Sequence, residues 1–400
     1  MTATTSDRRA EIWSPNLIVL LVTVFAVNFG QGLFRGAQTN FYIQTLGMGG
    51  REVLWLAGLR EIPGLALIFV AALIMRIPLA RRGVLALIVM GVGYGLYAAV
   101  GSFTGLVVVA IVGSLGFHVW MPIVNALGMS LVAREHAGRV MGTIARMRAL
   151  SSIVGMGIIA VLAKLASDMS LSVYFVAGGA LTLLAAALLA KIPANVGTAS
   201  AAEPRILLKR RYWLYYVLVF FEGSRVQVFG TFSTLILVES YGLDVGAISL
   251  LLLASSAVNM LFATPLGTLL DRYGEGRVMP VSYVLLAMSF FGYATVHNVW
   301  ALGLFLIAIN LLVTLEMGLS TWVRRIAPEE ELTPTLSAGV SINHITSVGV
   351  SLLAGSLLAV VGYEALCYGA AAIILSSVPF AIAMRVPVHP APQPIPSAAE

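Results

Sequence analysis

Twelve times along this chain an apolar run long enough to cross a hydrocarbon layer gives way to a short polar or glycine-bearing break. A bilayer core offers no water to satisfy bare backbone groups, so a crossing segment of about 20 apolar residues reads as a helix. The runs fall near residues 16–41, 52–75, 83–100, 105–132, 140–165 and 171–190. After the polar segment KIPANVGTASAAEPRILLKRRY, six more follow near 212–238, 245–269, 278–296, 299–323, 336–358 and 362–384. The expectation is an all-α membrane protein of twelve transmembrane helices in two six-helix bundles. The first bundle covers 1–191, a central loop covers 192–211, and the second bundle covers 212–385. Residues 386–400 are too polar and proline-laden to pack. Composition fits lipid as the solvent: 59% of the residues are hydrophobic and 10% charged.

The basic residues set the orientation, because Lys and Arg resist translocation and collect on the cytoplasmic side. With the N-terminus inside, seventeen of them fall in cytoplasmic segments, among them Arg8, Arg9, Arg82, Arg134, Arg205, Arg211 and Arg272. Only Arg51 and Lys164 fall in outer loops, so both termini are expected in the cytoplasm. This asymmetry accounts for the net charge of +6 without a nucleic-acid partner, which would need a basic soluble face. Cys367 is the only cysteine and sits in an apolar run, which rules out an intrachain disulfide and a cysteine-based metal site. The N-terminal segment shows no cleavage pattern and reads as a retained first helix. The expected location is a bacterial-type inner membrane, as a multi-pass monomer surrounded by lipid.

Eight Arg and Glu residues are the candidates for charges within the membrane: Arg35, Arg60, Glu61, Arg146, Arg148, Glu222, Arg225 and Glu316. Each costs about 2.5 to 3.5 kcal/mol at the bilayer centre, so they must face one another or water. Asn28, Gln31 and Arg35 follow i, i+3, i+7 spacing and form one stripe of the first span. Glu222 and Arg225, three apart on span seven, can pair along their helix. The sequences VNFGQGLFRG (27–36) and FEGSRVQVFG (221–230) align Asn28 with Glu222, Gln31 with Arg225 and Gly36 with Gly230, as internal repeats of a carrier would. His118 falls near the middle of span four, and histidine is the residue type best suited to proton coupling at physiological pH. Asn259, Asn343 and His344 add polar groups to spans eight and eleven. Arg146 and Arg148 lie close enough to the cytoplasmic end to snorkel to the interface.

Between spans eight and nine stands PLGTLLDRYGEGR, with Gly267, Asp271, Arg272, Gly274 and Arg277. This loop resembles the loop signature of the major facilitator superfamily. The resemblance implies the twelve-helix fold, a cavity lined by spans one, four, seven and ten, and an acidic residue that latches the two bundles in one state. The corresponding loop after span two, MRIPLARRG, lacks the acidic residue. Span four lacks the arginine, and span five the Gly-Pro signature, of proton-driven drug exporters in that family.

Together these features describe a secondary transporter that moves a small solute by alternating access. Five intramembrane arginines against three glutamates favour an organic anion, bound by Asn28, Gln31, Arg35, His118, Glu222 and Arg225. Glu222, Glu316 and His118 are the candidates to carry a coupling proton. The alternative is a hydrophobic or drug-like solute held by Phe34, Phe220, Phe221, Phe229, Trp120 and Trp322, with the arginines purely structural. No metalloprotease motif, nucleophilic triad or phosphate-cradling loop is present, so neither an enzyme nor a metal or cofactor site is expected.

Overall fold

The computed structural model describes residues 13–74, 76–133, 136–196 and 208–385, apart from the side chains of residues 68, 226–229, 329 and 333. Arg8, Arg9, Arg134, Arg205, most of the central loop and the 386–400 tail lie outside the described residues, as does the side chain of Phe229.

All described elements are helical. The first half contains α1 (Pro15–Asn40), α2 (Gly50–Leu59), α3 (Ile62–Leu65), α4 (Leu67–Ile74), α5 (Leu79–Leu96), α6 (Phe103–Ser130), α7 (Ala137–Leu165) and α8 (Ser172–Leu189). The second contains α9 (Trp213–Glu239), α10 (Val245–Tyr273), α11 (Glu275–Thr295), α12 (Val299–Val313), α13 (Met317–Ile326) and α14 (Glu329–Ile382). Nine helices among the described residues are long and apolar enough to cross a membrane. The long α14 is two helices in one run, because Gly362 adopts φ 77° between them. Only glycine takes that conformation cheaply, so the last two apolar runs part there.

Local chemistry explains the boundaries. The Ser14 side chain caps α1 by accepting from the Leu17 N–H at 3.2 Å, and Pro15 fits the first turn. Asp244 caps α10 and Asn298 caps α12 in the same way. The second span breaks in mid-course. Pro63 has no N–H, and the Gly64 N–H bonds Glu61 O at 3.0 Å. The Arg60 carbonyl is left to the Ser114 hydroxyl, which donates to it at 2.5 Å.

Within the first half α1 packs on α7 and α8, and α5 on α6 and α8; within the second, α14 packs on α9 and α11. Close approach needs small residues: a Cβ on Gly32 would lie 2.5 Å from the Ser152 carbonyl oxygen. Gly142 and Gly349 meet nothing within 4 Å, so they do no such work. The halves meet through α2 on α14 and α7 on α10. Their polar ties gather at the end where α1 finishes. There the Thr39 and Thr234 hydroxyls lie 3.2 Å apart, and Asn40 donates to the Leu243 carbonyl at 2.8 Å. The Gly50 N–H donates to Glu239 at 3.0 Å, and the Trp55 indole donates to the Leu352 carbonyl at 3.1 Å.

Candidate functional site

The break in the second span turns Arg60 and Glu61 out of the helical register at mid-depth. Arg60 reaches Gln38 on α1 at 3.5 Å and stands 3.8 Å from Glu61 Oε1. Arg35, Tyr42, Tyr94 and Tyr97 surround it closely enough for their charges and dipoles to interact. Arg35 is exposed on α1 within electrostatic reach of Arg60, and a crevice lined by Gln38, Thr39, Tyr42 and Val53 opens at Arg60. Along this part of α1, Asn28, Gln31, Arg35 and Gln38 are accessible while Gly30, Gly32, Leu33, Phe34, Gly36 and Ala37 are buried. Of this stripe, Gln38 lines the crevice at Arg60. Two of its members are engaged locally: Asn28 donates to the Val24 carbonyl at 2.8 Å, and Gln31 lies 3.9 Å from the Met90 sulfur.

In the second half Arg225 is almost wholly buried, 2% exposed. Its ion pair is with Glu316, Nε to Oε1 at 3.6 Å, and its guanidinium lies 4.2 Å from the Tyr283 ring centroid. The expected pairing of Arg225 with Glu222 along α9 gives way to this cross-helix contact. Span ten narrows into a tight 3-10 turn at Thr314–Glu316, which aims the carboxylate inward. Glu222 approaches both groups. None of the three Arg225 nitrogens has a hydrogen-bond partner, nor has Glu316 Oε1. Polar groups this deep are normally satisfied, so the cluster holds unused capacity for a ligand or water.

His118 does not stand alone. Its Nε2 lies 3.5 Å from Glu61 Oε2, and the same oxygen lies 3.2 Å from His344 Nδ1 on α14. Sequence reasoning placed Glu61 and His344 in different spans and offered no signal that they meet. Arg148 donates to Asn125 on α6 at 3.2 Å, whereas Arg146 is exposed.

The loop between α10 and α11 also differs from expectation. Asp271 pairs with Arg325 at 3.2 Å, and Arg325 Nε reaches Glu275 Oε1 at 3.2 Å. All three residues belong to the second half, so in this conformer the contact latches α10, α11 and α13 together and not one half to the other. Glu275, 1% exposed, is the buried acid and was not singled out. Gly274 makes the turn at φ 79°, Gly267 meets nothing within 4 Å, Arg272 lies over the Tyr273 ring and Arg277 follows the turn on α11.

Membrane-length helices in two halves, tied together at one end and with charged side chains between them, set the frame for comparison with known proteins. Residues 215–400 match the family model described as Major Facilitator Superfamily. Solved structures agree on the fold. The nucleoside transporter NupG superposes with a TM-score of 0.75 at 14% identity, over 93% of this chain and 99% of its own. A bacterial homologue of the human lysosomal transporter Spinster, in an inward-facing and occupied conformation, gives 0.69 at 14% over 92% and 94%. A D-xylose-proton symporter gives 0.71 at 12% over 92% and 97%. A search of the curated proteins finds no match. The second half of the chain thus matches the family model, and the chain as a whole shares the fold of these transporters.

Proposed function

We propose that this chain is a proton-coupled carrier of a small organic anion with twelve membrane crossings, two six-helix bundles and both termini in the cytoplasm. The observation that carries the substrate class is the state of its arginines. Arg35 is exposed near Arg60 with no acidic ion-pair partner among the described residues, and buried Arg225 has three nitrogens without hydrogen-bond partners. A guanidinium binds a carboxylate or phosphate through paired N–H groups, so these residues present the matching half of such a contact.

Coupling follows from charge. Arg225, Glu222 and Glu316 together hold one positive and two potentially negative groups, and a proton on either carboxyl balances them. A solute carboxylate arriving at Arg225 would compete with Glu316 for the guanidinium and favour that proton's uptake. The polar ties between bundles lie at the end opposite the basic loops, so in the proposed orientation this conformer is closed to the outside. The likeness to an inward-facing Spinster homologue and to a proton symporter supports this reading.

The aromatic residues of the hydrophobic-solute alternative are largely engaged elsewhere. Phe34 stacks 4.4 Å from Tyr94 and packs edge-on to Tyr97 and Phe175, while Trp120 and Trp322 are buried in the two hydrophobic cores. Flux measured in proteoliposomes across a panel of small carboxylates, phosphate esters and apolar amines tests the assignment. Anion flux should fall by about tenfold or more in Arg35→Gln and in Arg225→Gln, the loss of one charge-assisted contact of at least 1.4 kcal/mol. Unchanged flux in both folded variants would remove the anion reading.

A further inference from the structure

We propose that Glu61, His118 and His344 form a binding site for a divalent transition-metal ion that ties the two bundles together in this conformer. The inference goes beyond the anion-carrier reading and does not depend on it.

Two imidazoles and one carboxylate are the donor set of many zinc and other first-row metal sites. Their ligand atoms all lie within 4.8 Å of one another. Glu61 Oε2 is 3.5 Å from His118 Nε2 and 3.2 Å from His344 Nδ1. Donors around one ion, each about 2.1 Å from it, are separated by roughly 3 to 4 Å, so only a small closure is needed.

The surroundings orient the ligands. His118 Nδ1 lies 2.9 Å from the Ser114 carbonyl oxygen, which can only accept, so that nitrogen carries the proton and Nε2 is free to ligate. A carbonyl behind the second nitrogen is the usual outer partner of a metal-bound histidine. His344 offers Nδ1, a buried atom with no hydrogen-bond partner. Its ring sits against Gly64, where any Cβ would come within 2.6 Å of Cε1. Glu61 divides its oxygens, Oε1 toward Arg60 and Oε2 toward both rings. The three side chains are 7%, 11% and 14% accessible, and Arg60 beside them is 27% accessible, so an ion can arrive along the crevice. Arg60 opposes a cation and holds the affinity down.

An alternative without metal is one imidazolium paired directly with Glu61. Titrating Co2+ and then Zn2+ into the purified full-length chain in lipid nanodiscs separates the two. One Co2+ per chain should bind with a visible d–d absorption band that Zn2+ abolishes. His118→Gln and His344→Gln should each weaken binding by about tenfold or more. His344→Cys, which returns a ligand from the same position, should restore binding with an added sulfur-to-cobalt charge-transfer band, so a loss in the glutamine variants cannot be read as misfolding. Arg60→Gln should tighten it. No saturable Co2+ band in the native chain, or a band unchanged in both glutamine variants, overturns the site. Metal-free anion flux is read separately, so failure here leaves the carrier reading untouched.

Discussion

Arg225 carries its charge where water barely reaches, and its stability contribution depends on what remains when a partner is removed. Deleting one member of a buried pair strands the other, at a cost of about 3–5 kcal/mol, whereas replacing both by apolar groups of similar size is often neutral. Glu316→Ala should therefore lower the unfolding free energy by about that amount, and Arg225→Met with Glu316→Leu should recover most of it. Reversible unfolding in mixed micelles measures both; equal stability of all three proteins would mean the pair is not desolvated. A second residue-scale test lies outside the membrane. Glu331 accepts from Lys209 Nζ at 2.6 Å, from Tyr212 at 2.8 Å and from Arg211. Hydrogen bonds from Lys209, then Arg211 and Tyr212, hold its carboxyl at about 2, below the ordinary 4.5. A depressed carboxyl pKa stabilises the fold fully above the unfolded value and loses that contribution as pH falls through the folded one. The melting-temperature advantage of the native chain over Glu331→Gln should thus be constant above pH 4.5 and vanish on acidification toward pH 2. An advantage that persists at the acid limit would assign the contact to packing instead of charge.

The second span shows how one break serves two purposes. Pro63 interrupts the helix, Ser114 takes the released Arg60 carbonyl, and the interruption sets Glu61 against His118 and His344. Of the ties between halves along this span, Gly50, Trp55, Gly58 and Glu61 precede Gly64, whose neighbour is the His344 ring. Gly64→Ala puts a methyl group 2.6–2.8 Å from three ring atoms, so His344 must move and the halves must part locally. Spin labels on α4 and α14 should report a longer or broader distance distribution in Gly64→Ala; an unaltered distribution would show that the ring simply turns aside. The all-helical, membrane-length character of the chain was legible because hydropathy is local, and the accessible side of α1 because helical spacing is periodic. What joined the polar residues was not. The i, i+3 spacing of Glu222 and Arg225 pointed along one helix, yet Arg225 turned to Glu316 on another. Glu61, His118 and His344 come from three spans in two halves, and no spacing rule connects them. In the α10–α11 loop the buried acid is Glu275 and not the Asp271 of the signature, and nothing in the local sequence separates the two.

At the scale of the whole molecule, the proposed alternating access would have to break the contacts that join the halves where α1 finishes. The Thr39–Thr234, Asn40–Leu243, Gly50–Glu239 and Trp55–Leu352 hydrogen bonds all join one half to the other at the end where α1 finishes. Each is individually modest, about 1 kcal/mol net, so a few together can be exchanged for a different set at the opposite end without a large barrier in free energy. Alternating access requires that exchange. The chain is suited to a direct test, because its one cysteine, Cys367, is buried and does not compete for cross-linking. The Thr39 and Thr234 hydroxyl oxygens are 3.2 Å apart, which brings the two side chains within reach of a disulfide. Oxidising Thr39→Cys with Thr234→Cys should stop flux in proteoliposomes, and a reductant should restore it, while each single variant transports throughout. Full flux through the oxidised pair would mean that this end never opens, and the solute would have to cross by a route that does not separate the bundles.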